Sequence, residues 1–249
     1  MIYITGDTHA EYNRFNTTNF VSQETMSKDD YMIITGDFGY WDESKRQAWW
    51  LKWLDDKPFT TLFVDGNHEN FDLLNQLPVE EWNGGRVHHI SESVIHLMRG
   101  QVFELEGKKF FTFGGARSHD IEDGIIIRDP ENQWKHKVKE LNETGKTRYR
   151  IDHLSWWKEE MPNEDEMAEG IRNLKANEWK VDFVITHCAP SSTSALLSHG
   201  SYKADAITEY LENIKARVDY KRWYFGHYHR DMAVNAMDIA IYKDIIRIY

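Results

Sequence analysis

The sequence predicts an α/β fold, with parallel βαβ units first and an antiparallel or mixed extension after them. Three observations carry this. Short apolar, β-prone runs recur along the chain, and each stops abruptly at a polar turn, most at a glycine. Helical patterns lie between the first three of these runs, the arrangement that parallel neighbours need. Between Arg86 and Gly114 the pattern changes to four short strands joined by turns.

Ile2 to Thr5 is the first strand and ends in Gly6-Asp7-Thr8-His9. Residues 11–30 are polar with a weak helical pattern. Tyr31 to Thr35 is a second strand ending in Gly36-Asp37, so similar to the first that the two are expected to lie side by side in one sheet. Trp41 to Asp55 is predicted helical, because Trp49, Trp50, Trp53 and Leu54 recur at helical spacing; the aromatic stripe is expected to face the core. The third strand, Leu62-Phe63-Val64, runs through Asp65 into Gly66-Asn67-His68-Glu69, and a short helix, Phe71 to Leu77, stops at Pro78. The four later strands are Val87–Ile90, Val94–Met98, Val102–Leu105 and Phe110–Phe113, with Glu106-Gly107-Lys108 as a hairpin turn and His88, His89 and His96 as ordinary strand residues.

Gly114 to Asp120 is another sharp turn. Residues 121–160 carry little periodic pattern, and Trp156 and Trp157 are expected to anchor their end. Arg128 to Arg150 holds seven Lys or Arg against four Asp or Glu. That basic stretch is either a solvated surface or a cap attracting a phosphorylated substrate. Asn163 and Glu166 have the spacing of a capping box for a helix to about Asn177. Val181 to Thr186 is a buried strand ending in His187, followed by Cys188, a small buried hydrophobe. A helix over Ala204 to Arg217 and a strand over Arg222 to Phe225 precede Gly226-His227-Tyr228-His229. Short strands close the chain.

Composition bounds the function. With 249 residues, 41% hydrophobic and 14% aromatic, the chain can bury a core. A net charge of −11 weighs against general nucleic-acid binding, yet leaves phosphate substrates open, since bound cations would reverse the sign within a site. One cysteine excludes an intrachain disulfide. No run approaches the roughly 20 apolar residues of a membrane span, and Met1 to Thr5 lacks the basic start of a signal peptide. A cytoplasmic protein without a membrane partner is expected.

The five strand ends carry the chemistry: Asp7 with His9, Asp37, Asn67 with His68, His187, and His227 with His229. In extended chain, residues two apart share a face, so Asp7/His9 and His227/His229 each present paired ligands. Taken alone, each reads more readily as a polar turn; their recurrence after apolar strands decides otherwise. The ordered series Asp-x-His, Gly-Asp, Gly-Asn-His-Glu, Thr-His, Gly-His-x-His resembles the calcineurin-like metallophosphoesterase superfamily over nearly the whole chain. The resemblance implies a four-layer αββα sandwich of two mixed β-sheets flanked by helices, one domain over 1–249 with an insertion or cap at about 117–160. It also implies two divalent metal ions: Asp7, His9 and His229 on one, Asn67, His187 and His227 on the other, and Asp37 bridging. Mixed imidazole and oxygen donors suit manganese, with iron or zinc as alternatives. A hydroxide shared by the ions would attack phosphorus, and His68 would donate a proton to the leaving group or stabilise charge there. Glu69 either orients His68 or serves the turn. Arg117 and His119 are the candidate substrate contacts, Asn67 a third.

The run Gly36-Asp37-Phe38-Gly39-Tyr40-Trp41-Asp42 lacks the arginine of protein serine/threonine phosphatases, which points away from phosphoproteins. A small or nucleotide-like phosphomonoester or phosphodiester is the expected substrate. Two rivals stand: a non-catalytic scaffold of the same fold binding a protein partner, and a single-strand nuclease using the basic stretch.

Overall fold

The computed structural model describes residues 1–249. The first sheet contains β1 (Ile2–Thr5), β2 (Tyr31–Ile34), β3 (Thr60–Phe63), β4 (Glu80–Trp82), β5 (Gly85–His89), β6 (Val94–Leu97) and β15 (Ile246–Arg247), in the order β15-β1-β2-β3-β6-β5-β4. Its centre, β1-β2-β3-β6, is parallel, and the flanking strands are antiparallel. The second sheet contains β7 (Gln101–Leu105), β8 (Lys108–Phe113), β11 (Phe183–Thr186), β12 (Arg222–Phe225), β13 (Met232–Ala233) and β14 (Asp238–Ala240), in the order β13-β14-β12-β11-β8-β7. Here too a parallel centre has antiparallel edges. A separate parallel pair joins β9 (Gly124–Ile126) to β10 (Tyr149–Ile151). Both sheets are mixed, as expected.

Alternation along the strands builds the layers. Successive side chains of a strand point to opposite faces. Ile2, Ile4, Ile33 and Leu62 of the first sheet meet Phe103, Phe110, Phe183 and Ile185 of the second in the core between the sheets. Their neighbours Met32, Ile34 and Phe63 face outward onto Leu54 of α1 (Lys45–Asp55) and Leu74 of α2 (Phe71–Leu74). On the other side, Phe111, Phe113, Val184 and Trp223 pack on α4 (Glu164–Ala176), α5 (Ser191–Leu197) and α6 (Ala206–Lys215) through Leu174, Leu197, Ile207 and Leu211. Central strands covered on both faces read as continuous apolar runs, which is why the sequence displays them plainly.

The helices differ in detail from expectation. α1 starts at Lys45 rather than Trp41, because the Ser44 hydroxyl caps it by accepting from Gln47 N. Its buried stripe follows Gln47, Trp50 and Leu54; Trp49 lies off that stripe and is 57% exposed. Residues 11–30 form two short 3₁₀ turns, Tyr12–Phe15 and Val21–Thr25. The capping box at Asn163 and Glu166 is present, and Cys188 is buried. Residues 121–160 are more regular than expected. They hold β9, β10 and α3 (Gln133–Glu143), a helix with no fully buried residue whose short apolar stripe, Trp134, Val138 and Leu141, is only half-buried. Trp157 is buried and donates its indole N–H to Asp72 at 2.8 Å; Trp156 is half-buried. No helix is long and apolar enough to cross a membrane.

Candidate metal centre

The parallel strands β1, β2 and β3 end side by side, and so do β11 and β12 in the facing sheet. Their carboxyl ends therefore bring Asp7, His9, Asp37, Asn67, His68, His187, His227 and His229 to one edge of the sandwich. The turns that do this are tight. A side chain at Gly66 would place its Cβ 2.0 Å from Asp37 Oδ1, and one at Gly226 would meet Asp7 Oδ1 at 2.1 Å. His9, Asp37, His227 and His229 all have left-handed backbones, with φ of 46°, 46°, 65° and 50°. Such conformations cost non-glycine residues of order 1–3 kcal/mol each and persist only where the surroundings enforce them.

Two groups of donor atoms converge. In the first, Asp7, His9, Asp37 and His229 each offer an atom within 4.8 Å of all the others. His9 Nε2 lies 3.1 Å from His229 Nε2 and 3.6 Å from Asp37 Oδ2, and His229 Nε2 lies 3.2 Å from Asp7 Oδ2. Burial pushes the His9 imidazole down to about 4, so it is neutral and able to ligate near pH 7. The hydrogen bond to Asp7 raises His229. Burial alone would raise Asp7, but the His229 hydrogen bond and the neighbouring histidines carry it below its ordinary value. The backbone N–H of His227 also donates to both Asp7 oxygens at 3.1 Å.

In the second group, His187 Nδ1 donates to the Thr35 carbonyl at 2.8 Å. That holds the Nδ1 proton on the Thr35 carbonyl and turns Nε2 inward. It meets Asn67 Oδ1 at 3.2 Å and Asp37 Oδ1 at 3.4 Å. A ring nitrogen, an amide oxygen and a carboxylate oxygen then face one point, a donor set that fits a cation. Asn67 is oriented to match, its Nδ2 donating to Ser118 Oγ at 3.2 Å. Ser118 in turn donates its hydroxyl to Glu160 Oε2 at 2.6 Å and its N–H to Glu160 Oε1 at 2.9 Å. The His227 ring centroid lies 5.0 Å from that of His187, and burial pushes its pKa well below the usual range. Asp37 thus turns one oxygen to each group, as a bridging carboxylate would.

His68 stands at the rim. Its N–H donates to Asp37 Oδ1 at 2.8 Å, and its ring meets that of His9 edge-on, centroids 5.2 Å apart. Burial lowers its pKa. Glu69 does not reach the His68 ring. It is fully buried and accepts from the N–H groups of Phe38, Gly39 and Tyr40 at 2.6, 3.1 and 2.9 Å, so of its two expected roles the structure supports that of the turn. Burial and the nearby Asp37 raise its pKa, against those three donors.

Of the expected substrate contacts, His119 reaches the centre, its Nε2 3.0 Å from His227 Nε2. Arg117 is exposed and lines a groove with His119, Tyr202 and Lys203. Sequence reasoning missed Ser118 and Glu160, and also Arg150, whose guanidinium lies 3.3 Å from His68 Nε2. It also read His88 and His96 as ordinary strand residues. Both are buried, with ring nitrogens 3.1 Å apart, and His96 Nε2 is 3.2 Å from Asp65 Oδ1. Asp65, two residues before Asn67, accepts from Arg99 Nε at 2.9 Å and from its terminal nitrogen at 2.6 Å. Burial alone would raise Asp65, but Arg99 holds it well below the usual carboxylate range.

The family model described as calcineurin-like phosphoesterase matches residues 1–231 of the 249. No curated protein matches the chain.

Proposed function

The chain belongs to the calcineurin-like phosphoesterase family, whose chemistry is metal-dependent phosphoester hydrolysis, and we propose that it hydrolyses a small or nucleotide-like phosphoester at two divalent cations. Asp7, His9 and His229 hold one, Asn67, His187 and His227 the other, and Asp37 spans both. Manganese suits this set of imidazole and oxygen donors; iron and zinc are the alternatives. The single observation behind the reading is the divided Asp37 carboxylate, with Oδ2 on the His9 side and Oδ1 on the His187 side.

When bound, the cations supply Lewis-acid stabilisation of the phosphoryl oxygens and a water of lowered pKa. The protein does the rest. Asp37 neutralises charge between the two positions and, through the His68 N–H, fixes where that ring stands. His68, whose ring stands at the rim and offers no atom to either donor group, stabilises charge on the departing oxygen, or passes it a proton once Nε2 is released by Arg150. The buried turns keep the donors from relaxing, so little reorganisation accompanies the reaction. The segment over 117–160 lies beside the site and serves as its cap.

The test is hydrolysis of p-nitrophenyl phosphate and bis(p-nitrophenyl) phosphate by protein loaded with manganese, iron or zinc. Turnover of either ester that disappears on chelation and returns with metal is expected. Inactivity on both across all three metals would contradict the proposal.

A further inference from the structure

Arg150 sits on β10, outside both main sheets, yet its guanidinium is the cation that reaches the rim of the centre. The side chain is 18% exposed. Its Nε donates to Asp120 Oδ1 at 2.9 Å, and one terminal nitrogen is shared between Asp120 Oδ2 and His68 Nε2. The other terminal nitrogen lies 3.5 Å from the Ser155 carbonyl. Three other arginines lie nearby. Arg117 is exposed on the groove beside His119, on the His227 side of the centre, and the other two are engaged elsewhere. Arg14 donates to Thr5 Oγ1 and to the carbonyls of Gly6, Asp7 and Tyr242, behind the ligands. Arg148 pairs with Glu122 and donates to the His119 carbonyl. In a chain of net charge −11, one fixed positive group at the leaving-group side is a specific feature.

We propose that Arg150 takes a terminal oxygen of the substrate phosphoryl group and so selects phosphomonoesters over phosphodiesters. The inference rests on the hydrolytic reading above. A monoester near neutral pH carries three terminal oxygens and close to two charges. Two of those oxygens can face the paired cation positions, and the third is left for a donor beside His68. A diester has an uncharged ester group in that third place, which offers a guanidinium nothing to pair with. The planar fork of arginine matches phosphate geometry and is never deprotonated. Asp120 is the internal competitor: it occupies the fork while no phosphate is present and is 47% exposed, so it can yield to solvent when displaced.

The experiment uses manganese-loaded full-length protein and two readouts. Calorimetric titration with inorganic phosphate measures the grip directly; kcat/KM for the mono- and bis-p-nitrophenyl esters measures the selection. Arg150→Ala is expected to weaken phosphate binding and monoester kcat/KM by about 10–100-fold, the worth of a charged hydrogen bond. Diester kcat/KM, which shares only the lost contact to His68, should fall at least about tenfold less than monoester kcat/KM, with manganese content unchanged. Asp120→Asn keeps the arginine and removes its competitor, so phosphate should bind more tightly; this variant also carries the test if Arg150→Ala fails to fold. Equal losses on the two esters, phosphate affinity unmoved in Arg150→Ala, or looser phosphate binding in Asp120→Asn would each overturn the assignment. A wild-type protein inactive on both esters would sink the hydrolytic reading and this one with it, whereas an active enzyme indifferent to Arg150 would sink this one alone.

Discussion

The strand ends and the segment over 117–160 contribute to one site in opposite ways. At the strand ends, Asp7, Asp37, Asn67 and His187 are all at most 5% exposed, and turns with no spare room hold them. In the segment, α3 has no fully buried residue, and β9–β10, buried fully only at Ile126, stands apart from the main sheets. The two meet where the segment begins and ends: Ser118 and Glu160 bond to each other and, through Ser118, to Asn67. The division is a physical one. Cation ligands must be placed to within a fraction of an ångström, which only a packed scaffold secures, whereas a substrate must enter and leave.

Substitutions at the strand ends should therefore be severe, those at the junction graded, and those on the outer segment slight. Asp37→Asn removes charge from both donor groups and is expected to abolish turnover and manganese uptake together, read by assay and elemental analysis. His68→Ala should leave manganese content intact while slowing turnover by about 10²–10⁴-fold, the usual worth of a positioned proton donor; loss of metal in that variant would contradict its place at the rim. Asp65→Ala removes the two-pronged partner of the buried Arg99, which keeps Glu166 at 3.1 Å and the Glu159 carbonyl at 2.7 Å, and should cost about 1–3 kcal/mol in a urea unfolding experiment. Ser118→Ala deprives Asn67 Nδ2 of its acceptor. Metal affinity should fall about 10–100-fold in a manganese titration with the fold retained, and an unchanged affinity would mean the junction does not orient the amide. Lys139 and Glu143 form an exposed pair on α3, and Lys139→Ala should shift stability by no more than about 0.5 kcal/mol. A large effect there would erase the distinction between the two regions.

The same division explains what could be read from sequence. Strands buried on both faces are apolar throughout, and each ends in residues whose types announce ligation. The sheets, the order of the candidate donors and their gathering at one edge were therefore legible in the sequence. The supporting contacts were not. Asn67 meets Ser118 51 residues on, and Arg150 reaches His68 across 82. A serine or an arginine in polar sequence carries no periodic signal that separates such a role from a solvated surface. Glu69 shows the same limit at close range: its position beside His68 suggested a partner for that ring, while the fold turns the carboxylate onto the backbone of residues 38–40. Trp49 failed for a simpler reason, since helical spacing defines a stripe only once its centre is known, and that centre is Gln47–Trp50–Leu54.

The central claim is that side chains from five strand ends hold a pair of cations, and a crystal grown with manganese tests it most directly. Anomalous scattering should give two peaks about 3.5–4 Å apart, one against Asp7, His9 and His229, the other against Asn67, His187 and His227, with Asp37 between them. A single peak, or manganese bound away from Asp37, would contradict it.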